Sequence, residues 1–171
     1  MYLDGSDNGG METESNLPAR PVRESCSEYS ELALPNDANP LGNLIGGRVM
    51  HLVDISGAIA AMRHARIPVV TASIDHMTFL HPVHIGELVI LKSTVNRVFR
   101  TSMEVGVKVF VENMRTGLVR HTSSAYLTFV GIDTGGERVP LPQVIPESAE
   151  ELRRFQAAGE RRIYRLQLRG K

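Results

Sequence analysis

Residues 48–65, RVMHLVDISGAIAAMRHA, decide the fold that the sequence predicts. The stretch has no proline and one glycine, and it is long enough for about five turns of α-helix. Apolar residues occur on nearly every side of that helix: Val49, Met50, Leu52, Val53, Ile55, Ala58, Ile59, Ala61 and Met62. A single helix of this kind must be surrounded by protein. The rest of the chain is therefore expected to wrap around it, with a neighbouring chain covering what remains.

Strand-like segments flank this helix. The clearest runs from Ser102 to Val111, where apolar and more polar residues alternate for about ten residues. Further strands are expected at residues 28–34, 70–75, 89–95 and 118–130. The strands after the helix are expected to form a meander of antiparallel neighbours. The prediction is an α+β domain in which a long curved antiparallel sheet surrounds a central helix, with a C-terminal helix from about residue 147 and no internal repeat.

Composition limits the partners and the compartment. Lysine plus arginine and aspartate plus glutamate number 19 each, so neither a nucleic acid nor a membrane surface is expected as a partner. The single cysteine, Cys26, has no second thiol to pair with, which favours a reducing compartment, and the cytoplasm is expected. Residues 1–24 do not resemble a signal peptide and are expected to form a disordered arm before one domain at 25–171. No apolar run approaches the roughly 20 residues that cross a bilayer.

Asp54 is the first candidate for chemistry. A carboxylate in the middle of an apolar helix is costly to bury unless its charge is used or compensated. Met50 and Ala58, one turn away on either side, make its own face apolar. A role in catalysis and a solvent-facing or salt-bridged role both remain open at this stage.

Gly46 and Gly47 form the second candidate, at the start of the helix. The first backbone N–H groups of a helix have no partner within it, and its dipole places positive charge there, so the spot can stabilise an oxyanion. Asn43 just upstream supplies a side-chain amide as a further donor. An ordinary junction between loop and helix is the alternative.

The spacing between the two candidates has a consequence. Gly47 and Asp54 are seven residues apart, roughly 10.5 Å along a helix. One acyl carbon cannot touch both within one chain. If two such helices pack antiparallel about a two-fold axis, the Asp54 of one can face the Gly47 amide of the other, which predicts a site shared between protomers.

Several long blocks of the sequence resemble the hotdog-fold acyl-CoA thioesterases, within them the cytosolic acyl-CoA hydrolase branch. They cover about residues 30–165 in the family's order. The blocks are LPNDANPLGNLIGG at 34–47, MHLVD at 50–54 with Gly57, VTASID at 70–75, FLHPV at 79–83, RTSME at 100–104 and VPLPQVIPE at 139–147.

The resemblance implies hydrolysis of fatty acyl-CoA. Asp54 would activate water or attack directly, while Asn43 and the Gly47 N–H polarise the thioester carbonyl, without a metal or redox cofactor. Single-domain relatives are homo-oligomers, commonly trimers of dimers. Cys26 lacks an adjacent histidine and is expected to be structural. The histidines lack metal-binding spacing.

The resemblance also suggests where the substrate lies. The CoA phosphates are expected near Arg97, Arg100, Thr101 and Ser102. Strand alternation places Thr71 and Ser73 on one face, where they line the substrate channel or face the next subunit, and Gly46 lets the substrate approach the helix. Two other activities remain open. A hydratase usually pairs a histidine with the helix carboxylate, where this chain has Asn43, and a non-catalytic acyl-CoA sensor is usually fused to a helix-turn-helix, which is not seen here.

Overall fold

The computed structural model describes residues 17–75 and 77–169. The strands are β1 (Arg20–Pro21), β2 (Ser27–Leu32), β3 (Val69–Ile74), β4 (Leu88–Val98), β5 (Ser102–Glu112), β6 (Val119–Gly131) and β7 (Val144–Ile145). The α-helices are α1 (Gly46–Ala65) and α2 (Ala149–Arg169), and short 3-10 helices cover Val22–Glu24 and Pro35–Asp37. Among these residues, no helix combines the length and the apolar character that crossing a membrane requires.

Five strands form one curled antiparallel sheet in the order β2-β4-β5-β6-β3. The central helix α1 contacts all five strands and lies against the concave face. The alternation predicted for β5 is confirmed, because Met103, Val105, Val107, Val109 and Val111 are all buried. The predicted fold, a hotdog domain with a C-terminal helix, is confirmed.

The position of β3 differs from the predicted meander. β4, β5 and β6 pair in sequence order, but β3 pairs with β6 and forms an edge of the sheet. Residues 75–87 connect β3 to β4. Because this connection is long and contains Pro82, it does not force the two strands together as a tight turn would. The consequence is that β3 presents one open edge beside α1.

The N-terminal boundary also differs from the prediction. Residues 1–16 of the expected arm lie outside the described residues. Within the remainder, β1 pairs in parallel with β7, and Val22 is 2% exposed in the core. Residues 20–24 are therefore part of the folded domain. Burial of the Val22 side chain and pairing with β7 give this segment contacts that its polar sequence did not indicate.

The second helix covers the opposite face of the sheet. Arg161 of α2 lies over the ring of Tyr126, 3.7 Å from its centroid, and contacts Glu104, whose side chain is fully buried. Arg165 joins Glu104 at 3.1 Å and Asp75 at 2.6 Å. These charges are paired at distances typical of charge-assisted hydrogen bonds, and they fix α2 to β5, to β6 and to the residue that follows β3.

Candidate active site

The first turn of α1, which begins at Gly46 and Gly47, leaves space for a ligand beside its backbone. Ile45 precedes the helix in an extended conformation and no side chain caps the first turn. A Cβ atom added at Gly47 would meet nothing within 4 Å, whereas one at Gly46 would lie 3.6 Å from the ring of Phe79. A ligand can therefore approach the Gly47 backbone closely, where N–H groups of the first turn attract negative charge.

A short hairpin leads into this helix. Its strands meet at the bridge between Ala38 and Leu44, and the Ile45 N–H donates to the carbonyl of Asp37 at 3.0 Å. At its tip, Gly42 has φ +76°, a conformation that glycine adopts without strain. The hairpin places two asparagines, Asn39 and Asn43, near the N-terminal end of α1.

The two asparagines have different side-chain contacts. The Asn39 Oδ1 accepts hydrogen bonds from the N–H groups of Leu41 at 2.9 Å and Asn43 at 3.1 Å. With its Nδ1 protonated, His84 donates to the Asn43 Oδ1 at 2.8 Å. In both residues the oxygen is occupied and the NH₂ group remains as the donor, so either amide is suited to polarise a carbonyl.

Asp54 lies half-exposed on α1, between buried Val53 and half-buried Ile55. The hydroxyl of Thr71, on the edge strand β3, donates to its Oδ1 at 2.7 Å. One oxygen of the carboxylate is thus oriented by the protein while the group keeps access to solvent. This arrangement suits a base that takes a proton from water.

Thr71 and Ser73 do not share a face, contrary to the expected alternation. The register with β6 shifts between them, so Thr71 lies opposite Phe129 and Ser73 opposite Thr128. Phe129 faces α1, where its ring would lie 3.1 Å from a Cβ at Gly57. The irregularity at Ala72 therefore turns Thr71 towards Asp54 and Ser73 towards α2, because an extra residue in a strand reverses the alternation.

The residues expected near the CoA phosphates lie at the turn between β4 and β5. The guanidinium of Arg97 stacks on the ring of Phe155, 4.3 Å from its centroid, and the Ser102 hydroxyl accepts a hydrogen bond from Arg162. Thr101 is half-buried and the Arg100 side chain is exposed. Met103 aligns with Phe129 and Thr71 across the sheet, so this turn lies about 10 Å, two strand spacings, from Thr71.

The candidate site has two parts that lie at different positions along α1. One part is Asp54 with Thr71, and the other is the hairpin with the two glycines at the start of the helix. Seven residues of regular helix separate Gly47 from Asp54. Residues 17–75 and 77–169 contain no group of three or more His, Cys, Asp or Glu side chains placed to hold a metal ion.

Known proteins resemble this chain over most of its length. A family model described as the thioesterase superfamily matches residues 41–118. An uncharacterised acyl-CoA thioester hydrolase of Bacillus subtilis, YkhA, is 39% identical over 139 residues, which cover 81% of each chain. The chain is a member of the hotdog acyl-CoA thioesterase family. The family predicted from the sequence is therefore confirmed.

Solved structures of the family agree. A hexameric acyl-CoA thioesterase superposes with a TM-score of 0.85 at 38% identity, covering 88% of this chain and 97% of the other. The acyl-CoA hydrolase of Staphylococcus aureus, solved with butyryl-CoA, CoA and CoA disulfide, has a TM-score of 0.83 at 32% identity and covers 89% and 93% of the two chains.

Variants of the Staphylococcus aureus hydrolase point to a residue that the sequence reasoning missed. An asparagine, an aspartate and a threonine were each replaced by alanine in that enzyme, and they are 15 and 17 residues apart in order. The same spacings separate Asn39, Asp54 and Thr71 in this chain. In the sequence, Asn39 occurs only within the block LPNDANPLGNLIGG at 34–47, and no role was predicted for it. The available signal was its place in the block that resembles the family.

Proposed function

We propose that this protein hydrolyses acyl-CoA thioesters to a fatty acid and CoA, with Asp54 as the general base. The observation that carries the proposal is the pair formed by Asp54 and Thr71, 2.7 Å apart. Their spacing in the sequence equals that of the aspartate and threonine altered in the Staphylococcus aureus hydrolase. Membership of a thioesterase family and a half-exposed, oriented carboxylate support the same reaction.

The proposed reaction needs only side chains, backbone and water. Asp54 takes a proton from a water molecule whose oxygen attacks the thioester carbon. The carbonyl oxygen becomes negative and accepts hydrogen bonds from the Gly47 N–H and an asparagine NH₂ group. The carbon–sulfur bond then breaks, the proton on Asp54 passes to the sulfur, and CoA leaves as the thiol. No metal or redox cofactor takes part in this proposal.

Two asparagines compete for the polarising role. Asn43 is the residue predicted from the sequence, next to the glycines. Asn39 is supported by the spacing to Asp54, and its Oδ1 is held by two backbone N–H groups, which leaves the NH₂ as its donor. We favour Asn39 as the donor and propose that Asn43, bonded to His84, supports the hairpin.

A complete site is proposed to form between two copies of the chain. The edge strand β3 has exposed apolar side chains, Val70 at 41% and Ile74 at 37%. Met50 and Met62 of α1 are likewise exposed, at 44% and 46%. An open strand edge beside exposed apolar side chains is a surface that a second copy can cover by strand pairing and burial. Such a pair would bring the Asp54 of one copy towards the hairpin of its mate.

Higher assembly and substrate contacts are also proposals. The hexameric relative supports a trimer of such dimers. The exposed apolar side chains of α2 offer a second contact surface: Leu152, Ile163, Tyr164, Leu166 and Leu168. The exposed Arg100 at the turn between β4 and β5 is the proposed phosphate contact. The lone Cys26 supports a cytoplasmic location.

Chromatographic measurement of free CoA tests the activity. Wild-type protein incubated with acyl-CoAs of increasing chain length should release CoA and fatty acid in equal amounts. Asp54→Ala should lose nearly all turnover and Asp54→Asn should behave similarly, because an amide cannot take the proton. A sensor or a hydratase would leave the thioester intact. A general base typically contributes a factor of roughly a hundred or more to the rate. If Asp54→Ala keeps more than a few per cent of wild-type kcat, the assigned base is wrong.

A further inference from the structure

Arg48 links three separate elements of the fold. It belongs to the first turns of α1, directly after Gly47, and its side chain is 27% exposed. Its guanidinium pairs with Glu31 of β2, and its Nε lies 3.2 Å from the Asp37 Oδ2. One cation therefore connects the sheet edge and the central helix to the base of the hairpin.

The partner on the sheet is itself held in place. The Tyr29 hydroxyl donates to the Glu31 Oε2 at 2.6 Å. This hydrogen bond, together with the charge of Arg48, lowers the pKa of Glu31 against the opposing effect of burial, so the ionised form is favoured. The charged side chains of Glu31, Arg48 and Asp37 are each only about one third exposed or less. Ion pairs that are partly removed from water are stronger than those at an open surface.

The hairpin has few other anchors. Leu41 at its tip is 83% exposed, and of its apolar residues Leu44 is the buried one, at 7%. Three further contacts tie the hairpin to residues 83–85: the Leu44 N–H to the Val83 carbonyl at 2.8 Å, the Ile85 N–H to the Gly42 carbonyl at 3.3 Å, and the contact between Asn43 and His84. All three involve hairpin residues that follow Asn39 in the sequence. Before Asn39, Arg48 contacts the incoming strand at Asp37 by charge attraction, since its Nε makes no hydrogen bond.

We propose that Arg48 is a positioning residue, which fixes the hairpin so that the Asn39 amide is aimed at the thioester carbonyl. This inference rests on the proposed function. A donor displaced by about 1 Å from a reacting carbonyl loses much of its effect on the transition state while the bulk of the substrate still binds. Loss of Arg48 should therefore lower kcat more than it changes KM.

The test compares Arg48→Ala with Arg48→Lys and with Arg63→Ala. Arg63 lies near the other end of α1, where it donates to the Cys26 carbonyl at 2.6 Å. Arg48→Ala should lower kcat roughly tenfold with KM within about twofold. Lysine, a point charge that cannot contact both carboxylates in a fork, should restore part of the loss. Arg63→Ala should leave both constants unchanged.

A double-mutant cycle with Asn39→Ala separates positioning from general stability. If Arg48 acts through Asn39, adding Arg48→Ala to the Asn39→Ala chain should cause little further loss of kcat. Equal losses in both backgrounds would overturn the proposal, as would a kcat for Arg48→Ala within twofold of wild type.

Amide hydrogen exchange gives a readout that does not depend on turnover. In the protein without substrate, Arg48→Ala should speed exchange at the Ile45 and Gly42 amides of the hairpin, and Arg63→Ala should not. Unchanged exchange at these amides would contradict the positioning role even if the protein is an active thioesterase. Faster exchange with no CoA release by the wild type would instead show that the proposed function fails.

Discussion

The Thr71 hydroxyl donates a hydrogen bond to the Asp54 carboxylate at 2.7 Å, which joins the edge strand β3 to the central helix α1. The contact depends on the irregularity at Ala72. Ser73 faces away from α1, and regular alternation would turn Thr71 to that same face, away from Asp54. The proposed base thus takes its orientation from the same strand that offers an open edge to a second copy.

Removing that hydroxyl should slow catalysis. Thr71→Val keeps the branched shape but loses the donor, so Asp54 is free to turn away from the attacking water. A hydrogen bond to a charged group has an energy of about 1.5–3 kcal/mol, so kcat should fall roughly ten- to hundredfold. Thr71→Ser, which retains the hydroxyl, should remain close to wild type in the CoA-release assay. Equal kcat values for the valine and serine variants would show that the hydrogen bond does not assist the reaction.

The two asparagines can be separated by substitution. Asn39→Ala should lower kcat by about a hundredfold, the effect of removing one oxyanion donor, with KM little changed. Asn43→Ala should lower kcat less, because its proposed part is to support the hairpin through His84. Steady-state kinetics on both variants decides between them. The reverse order of effects would assign the donor to Asn43, as the sequence first suggested.

The buried His64 should make stability depend on pH. It is 0% exposed, its Nε2 lies 2.8 Å from the Pro142 carbonyl oxygen, and burial lowers its pKa. The nearby Arg20 lowers the pKa further, while the Pro142 carbonyl and Glu24 oppose the shift. The native state therefore favours neutral imidazole, and the unfolded chain binds the proton more readily. The resulting stabilisation is present in full above the unfolded pKa of about 6.5 and is lost as the pH falls below it.

Chemical denaturation from pH 7.5 to pH 5 measures this dependence. His64→Gln keeps a donor for the Pro142 carbonyl but does not titrate, so its free energy of unfolding should fall less steeply than that of wild type over this range. His51→Gln, an exposed position on the same helix, should retain the wild-type slope. Parallel curves for wild type and His64→Gln would rule out His64 as the source.

The buried carboxylate under α2 should contribute strongly to stability. Glu104→Gln leaves the Arg161 guanidinium, 2.6 Å from the present carboxylate, without a buried counter-charge. Breaking a buried ion pair in this way costs about 3 kcal/mol or more. Glu150→Gln removes an ion pair with Arg153 in which both side chains are at least half exposed, and it should leave the denaturation midpoint unchanged. Similar midpoints for the two variants would contradict a stabilising role for the ion pairs of Glu104 with Arg161 and Arg165.

Local patterns predicted much of the fold. The continuous apolar stretch at 48–65 and the alternation in β5 are both patterns within a single segment of the sequence. The place of β3 beside β6 and the irregularity at Ala72 depend on pairing between distant segments, which alternation within one strand does not report. The pairing of Arg20 and Pro21 likewise depends on β7, more than a hundred residues later.

The candidate site was predicted less completely for the same reason. Asp54 stood out because a charge is unusual in an apolar helix, and the two glycines because they precede one. Asn39 lies among residues typical of turns, so its pattern indicated only a loop. Arg97 was expected at a phosphate, yet it stacks under α2 on Phe155, a contact that depends on how a helix 58 residues away docks.

Mixing two inactive variants tests the shared site most directly. One chain carries Asp54→Ala, and the other carries both Asn39→Ala and Asn43→Ala. When equal amounts are co-expressed, half of the random dimers contain both chains, and one of the two sites in each then has every functional group. CoA release should recover to about one quarter of the wild-type rate. A mixture no more active than the better of its two parents would contradict a site formed between subunits.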